Sequence, residues 1–113
     1  MITTERKVEQ HHNKANGKGI TQIERLLPQE CLKKEATMYA KVTLDVNASI
    51  GIHTHNEDSE AYYILQGTAK YTDNGTEQIL TAGACTYTEK GSSHGIENIG
   101  EEPLIFIALI LNH

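Results

Sequence analysis

A chain of 113 residues, 38% apolar with one phenylalanine and no tryptophan, can bury one ordinary core without disulfide or metal staples, so a single domain over 1–113 is expected. Its net charge of −5 comes with no clustered lysine or arginine stripe, which argues against nucleic acid and acidic membranes as partners and leaves small molecules or copies of itself. The N-terminal "MITTERKVEQHHNK" lacks the apolar core of a secretory leader, and the longest apolar run, "LIFIALIL" at 104–111, is too short to span a bilayer. A soluble, cytoplasmic protein is predicted. Cys31 and Cys85 form no disulfide framework in that compartment and are expected to be small buried residues.

Residues 1–19 are polar, and "NKANGKG" breaks them with Asn-Gly and further glycines, so this segment reads as an N-terminal arm or a pair of short edge strands. "ITQIERLLPQECLKKEA" starts extended and breaks at Pro28. From Met38 the pattern sharpens: Met38, Ala40, Val42, Leu44 and Val46 alternate with polar neighbours, the period-2 signature of a half-buried strand. "EAYYILQGTAKYTDNGTEQIL" then predicts a strand, a break at Gly67, a second strand, the turn "DNG" at 73–75 and a third strand. Asn-Gly between alternating residues is the strongest short-range hairpin signal. The run 104–111 follows Pro103 and is consistent with a strand covered on both faces; its β-branched content favours strand over buried helix. Many short antiparallel strands with regular turns predict an all-β sandwich or barrel.

The stretch "SIGIHTHNEDSEAYYILQG" at 49–67 holds the residues with the most chemistry. His53 and His55 are two apart, so on an extended backbone both point to one face and can share a ligand. Glu60 opens the next strand after the loop "NEDS", and the return brings its carboxylate beside the imidazoles. His94 lies on a later strand that must fold over to complete the set. Three imidazoles and one carboxylate suit first-row divalent metals and argue against calcium or magnesium. Four protein ligands would fill a tetrahedral zinc. An octahedral manganese, iron, cobalt or nickel ion would keep two positions open for substrate or dioxygen.

These residues resemble the cupin superfamily. Its first motif, glycine, His-x-His, glutamate and a closing glycine, is matched by Gly51, His53, His55, Glu60 and Gly67; its second by Gly83, Gly91, His94 and Asn98. Gly51 stands nearer His53 than in the usual motif, Glu89 replaces the second motif's proline, and Ala84 stands where an aspartate is common. None of these departures removes a ligand. The resemblance implies a small antiparallel jelly-roll β-barrel, the double-stranded β-helix, with His53, His55, Glu60 and His94 holding one divalent transition metal (Mn, Fe, Ni, Co or Zn). It also implies a homodimer, and the apolar-poor arm 1–19 is expected at its interface.

Tyr62 shares strand parity with Glu60 and is predicted to face the interior beside the metal, as a catalytic or substrate-contacting residue or simply as a core aromatic, whereas Tyr63 faces away. Asn98 is expected to support a turn or strand pairing. Two functions follow. One is a metal-dependent enzyme, dioxygenase-like or of decarboxylase or isomerase type, with oxidative activity expected in the iron or manganese form and lost with zinc. The other is a non-catalytic module that binds a small ligand or senses a metal. Arg6 and Arg25 lie outside the motifs, so an anionic substrate would have to chelate the metal directly.

Overall fold

The computed structural model describes residues 1–113. Within residues 1–19 the chain makes one strand, β1 (Val8–His12), at the edge of a sheet, and a 3-10 turn at Lys14–Asn16; β1 pairs with β2 (Ile20–Arg25), which begins beyond that segment. Pro28, with φ −68° and no N–H to satisfy, precedes a single helical turn, α1 (Gln29–Leu32). The alternating stretch forms β3 (Ala36–Leu44), with Ala36, Ala40, Val42 and Leu44 buried. Its pattern was expected to run on to Val46, but the chain turns there through Asn47 at φ 68°, leaving Val46 exposed.

β4 (Ser49–Thr54), β5 (Asp58–Gln66), β6 (Thr68–Asp73), β7 (Thr76–Thr81), β8 (Cys85–Thr88), β9 (Ser93–Asn98) and β10 (Leu104–Asn112) complete the chain. The β6–β7 connection is the two-residue hairpin its sequence predicts. Asp73 pairs with Thr76 across Asn74 and Gly75, both at positive φ (47° and 96°), which matches the twist of the flanking strands.

Two antiparallel sheets result, one ordered β1-β2-β3-β10-β5-β8 and the other β4-β9-β6-β7. The all-β, antiparallel jelly-roll class is therefore the fold observed. Between the sheets lies the core, where Phe106, Leu104, Leu44, Ile64 and Ile96 are the largest fully buried apolar side chains. At one end of it Asn98 is buried as well, and its amide donates to the carbonyls of Leu44, Asp45 and Glu102. This is the structural role the sequence suggests for it, since its amide ties the end of β3 to the turn that follows β9.

Two expectations need correction. β10 is a strand, but only Leu104, Phe106 and Ala108 are buried, while Ile105, Ile107 and Leu109 on the other face are half-buried. No layer covers that outer face; its neighbours in register are Tyr39 and Lys41 on β3 and Ala61 and Tyr63 on β5. Cys31 and Cys85 are free and exposed rather than buried. Cys85 pairs with Tyr63 in register, so its strand parity turns it to the same open face.

Candidate metal centre

Strand alternation alone would not bring the imidazoles inward together. On β4, Ile50 pairs with Ile96 of β9 and His53 pairs with His94, so three steps on one strand match two on the other. This β-bulge at Gly51 and Ile52 shifts the parity: Ile50 and His53 both face the interior, and Ile52 is left 65% exposed. His55 follows just beyond the strand end. Glu60 enters from the start of β5, opposite Thr88 of β8.

The four side chains predicted to act together converge. His55 Nε2 lies 3.1 Å and His94 Nε2 3.0 Å from Glu60 Oε1. His94 Nε2 is also 3.0 Å from His55 Nε2 and 3.1 Å from His53 Nε2. One ligand atom from each residue falls within 4.8 Å of all the others. His55, Glu60 and His94 are buried, and His53 is partly so.

Behind each imidazole stands a partner that fixes its ring. His53 Nδ1 donates to the carbonyl of Gly51 at 2.8 Å, and His55 Nδ1 donates to the Asp58 carboxylate at 2.6 Å. Because both partners only accept, the Nδ1 atoms carry protons, and in the neutral rings the Nε2 lone pairs point into the cluster. His94 Nδ1 meets the hydroxyls of Tyr71 at 2.8 Å and Thr88 at 2.9 Å. Three Nε2 atoms about one centre cannot all be satisfied by each other's hydrogens. With a carboxylate beside them they form a set that fits one divalent transition ion, held by oriented imidazoles of the kind such ions use.

The electrostatics agree with that fit. Burial alone would raise the Glu60 carboxyl, but hydrogen bonding to His55 and His94 and their charge when protonated hold it down to about 2. Hydrogen bonding to Glu60 raises His55 despite its desolvation, and Asp58 adds to the effect. Burial lowers His53. Glu60 is therefore anionic and His53 neutral at ordinary pH, the forms in which each can ligate.

Tyr62 faces the interior as its parity predicts, 3% exposed and stacked on His94 with ring centroids 4.9 Å apart. Burial, reinforced by the Glu60 charge, pushes its phenol well above its ordinary range and keeps it protonated. Tyr63 faces out. The remaining histidines lie elsewhere: His11 is 3.5 Å from Glu9, His12 is exposed, and His113 bonds Ser59 at 2.8 Å.

Sequence reasoning missed Asp58, Tyr71 and Thr88. Asp58 stands three residues from His55, a spacing that could have suggested the contact. Thr88 pairs across from Glu60, and Tyr71 is buried across the barrel; neither could be tied to His94 before the strand order was known. Beside the cluster opens a cavity of about 300 Å³, mostly apolar, with Ile23, Val42, Ile50 and Phe106 among its walls and Lys14 on its lining.

A two-sheet jelly roll with three histidines and a glutamate clustered at its interior is the architecture of a cupin. The cupin domain family model matches residues 40–110, and the chain belongs to that family. Over 99 residues it is 37% identical to the oxalate-binding protein of Thermotoga maritima, a match spanning 88% of this chain and 82% of that one. A solved Thermotoga maritima structure, called a predicted oxalate decarboxylase, aligns over 100% of both chains with TM-score 0.96 and 35% identity. The polyketide cyclase RemF from Streptomyces resistomycificus shares the fold, with TM-score 0.79 at 17% identity over 98% of this chain and 79% of that one. None of the helices is long and apolar enough to cross a membrane.

Proposed function

We propose that this cupin binds one divalent transition-metal ion through His53, His55, Glu60 and His94 and, on that ion, a small chelating dicarboxylate, with oxalate the first candidate. The observation that carries this reading is the convergence of three bare Nε2 atoms and one carboxylate at the floor of a small, mostly apolar cavity. Four protein ligands leave an octahedral ion two positions, the number a bidentate carboxylate needs. The relative named for oxalate binding supports the choice of ligand. Calorimetric titration of manganese-loaded protein with oxalate should give one site per chain. The metal-free protein should give none, and the His53, His55 and His94 triple alanine variant should bind neither metal nor oxalate. Oxalate binding that persists without metal would refute the reading.

A second reading, catalysis, is favoured by Tyr62. Its side chain lines the cavity beside Glu60, and its buried phenol is placed to donate a proton or hydrogen bond to a bound anion. A bound ion would supply Lewis acidity and, as iron, a site for dioxygen. On this reading turnover of oxalate, followed as carbon dioxide release or oxygen uptake, appears in the iron or manganese form and not with zinc. Tyr62→Phe then abolishes turnover and leaves binding intact.

The proposed partner beyond the ligand is a second copy of the chain, packed on the outer face of the six-stranded sheet. Tyr39, Ile107, Leu109, Tyr63 and Tyr87 give that face a broad apolar surface, of the kind that monomers rarely leave open. Lys41 is its one charge among these strands and lies opposite Glu24 in register, so two copies can meet without like-charge conflict. β1 forms one border of the same sheet, which puts the N-terminal segment beside the interface. Sedimentation should give a dimer that Leu109→Glu converts to monomer; a monomeric parent chain would overturn the pairing. Two exposed, unpaired thiols suit a reducing, cytoplasmic setting.

A further inference from the structure

We infer that Lys14 is the anion-recognising residue of the cavity, the group that pairs with the carboxylate charge left over once a dianion sits on the metal; the inference rests on the ligand reading above. Lys14 is 39 residues from His53 in sequence and belongs to no motif, yet it lines the same cavity as His53, His55 and Glu60. It is the only lysine or arginine among the residues of that lining. Both arginines are engaged elsewhere, Arg6 with Glu24 and Arg25 with Glu9. Lys14 takes part in none of the ion pairs of the molecule, although it is half-buried.

Its position is built rather than incidental. Asn13, Ala15 and Asn16 around it all adopt left-handed backbone (φ 52°, 52° and 61°), a conformation that costs free energy in residues other than glycine. Hydrogen bonds hold the turn shut, from the Gly17 N–H to the Lys14 carbonyl at 2.9 Å and from the Gly19 N–H to the Asn13 side chain at 3.0 Å. The turn also sits directly on β4, the strand that carries His53. A Cβ added at Gly51 would fall 2.0 Å from the Ala15 carbonyl oxygen, so only glycine lets the two segments meet. The turn that carries Lys14 is thereby fixed against the strand that carries His53.

Charge counting shows what this cation is for. A divalent ion with the Glu60 carboxylate carries a net +1, and a bound dianion would leave −1 in an apolar cavity, with the partly exposed Asp58 carboxylate behind His55 adding to it. Burying that charge unpaired is costly, and an ammonium brought to the wall offsets it. A monocarboxylate needs no such partner. Lys14 therefore sets a preference for dianions over monoanions of similar size.

The test is calorimetric titration of manganese-loaded protein with oxalate and, separately, with glycolate, on the parent chain and on Lys14→Met and Lys14→Arg. Metal affinity and melting temperature are measured alongside. Lys14→Met should weaken oxalate binding roughly ten- to a hundredfold, as loss of a charged hydrogen bond does. Glycolate binding should change little, so that the preference collapses, and metal affinity should stay as in the parent. Lys14→Arg should restore the preference. Unchanged oxalate affinity in Lys14→Met overturns the role of Lys14 while the ligand reading stands. A parallel loss of metal affinity or of glycolate binding also overturns it, by making Lys14 a structural support. Failure of the parent chain to bind oxalate removes the ligand reading, and the Lys14 assignment with it.

Discussion

The two ends of the barrel interior are made by the same strands and held by different forces. β5 gives Glu60 and Tyr62 to the metal end and Ile64 to the core; β9 gives His94 to the metal end and Ile96 to the core. Period-2 alternation places all of them inside. What differs is how each end meets the cost of burial. The core end gains from apolar area and close packing. The metal end gains little of that, and each imidazole there has a dedicated partner, drawn from Gly51, Asp58, Tyr71 and Thr88. Damage at one end should therefore read out as unfolding, and damage at the other as lost affinity.

The strongest way to break that comparison is at Leu44, fully buried and away from the cavity lining. Leu44→Ala should cost about 2–5 kcal/mol of stability in urea unfolding of the metal-free protein. A loss under about 1 kcal/mol would mean that the core end contributes far less than its burial implies.

A middle-sized effect is expected at Asp58, which touches no other ligand than His55 and is 29% exposed at its side chain. Asp58→Asn should lower metal affinity about 10–100-fold, as loss of an orienting partner does, with little change in unfolding. Competition with a metallochromic chelator measures it. If the variant unfolds as readily as Leu44→Ala while keeping its metal, the division between the two ends is wrong.

The smallest effect is a change of slope with pH. His55 is raised above its ordinary 6.5 by Glu60 and Asp58. In metal-free protein the stability from its protonated form is complete below pH 6.5 and is lost as pH rises through the raised value. The metal-loaded protein should behave oppositely, because protons compete with the ion for the same imidazole and metal is held better as pH rises. Melting temperatures from about pH 6.5 upward should thus fall for the metal-free form and rise for the loaded one. Parallel slopes would dissolve the distinction.

The sequence made some of this plain. β3 and the Asn74-Gly75 hairpin follow from local rules, alternation and a two-residue turn, that tertiary contacts do not override. The four converging residues were legible through their spacing, because His-x-His and a nearby glutamate must return to one place on paired strands. The bulge that turns Ile50 and His53 to the same side was not, since it is a property of the β4–β9 pairing and not of either strand. Lys14 was invisible for a similar reason: only the packing of its turn on Gly51 brings it to the cavity. The cysteines were misjudged because average burial habits say nothing about which face a given parity selects.

The exposed thiol of Cys85 gives the molecule a reporter of its own. It stands beside Tyr63 on the open sheet face, whereas Cys31 lies in the helical turn α1, away from that sheet's strand register. Alkylation by a small maleimide therefore reads two surfaces in one sample, with Cys31 as the internal clock. In dilute protein the two should label at comparable rates. As concentration rises and copies pair, Cys85 should fall behind Cys31, and the concentration at which it lags by half measures the pairing without any substitution.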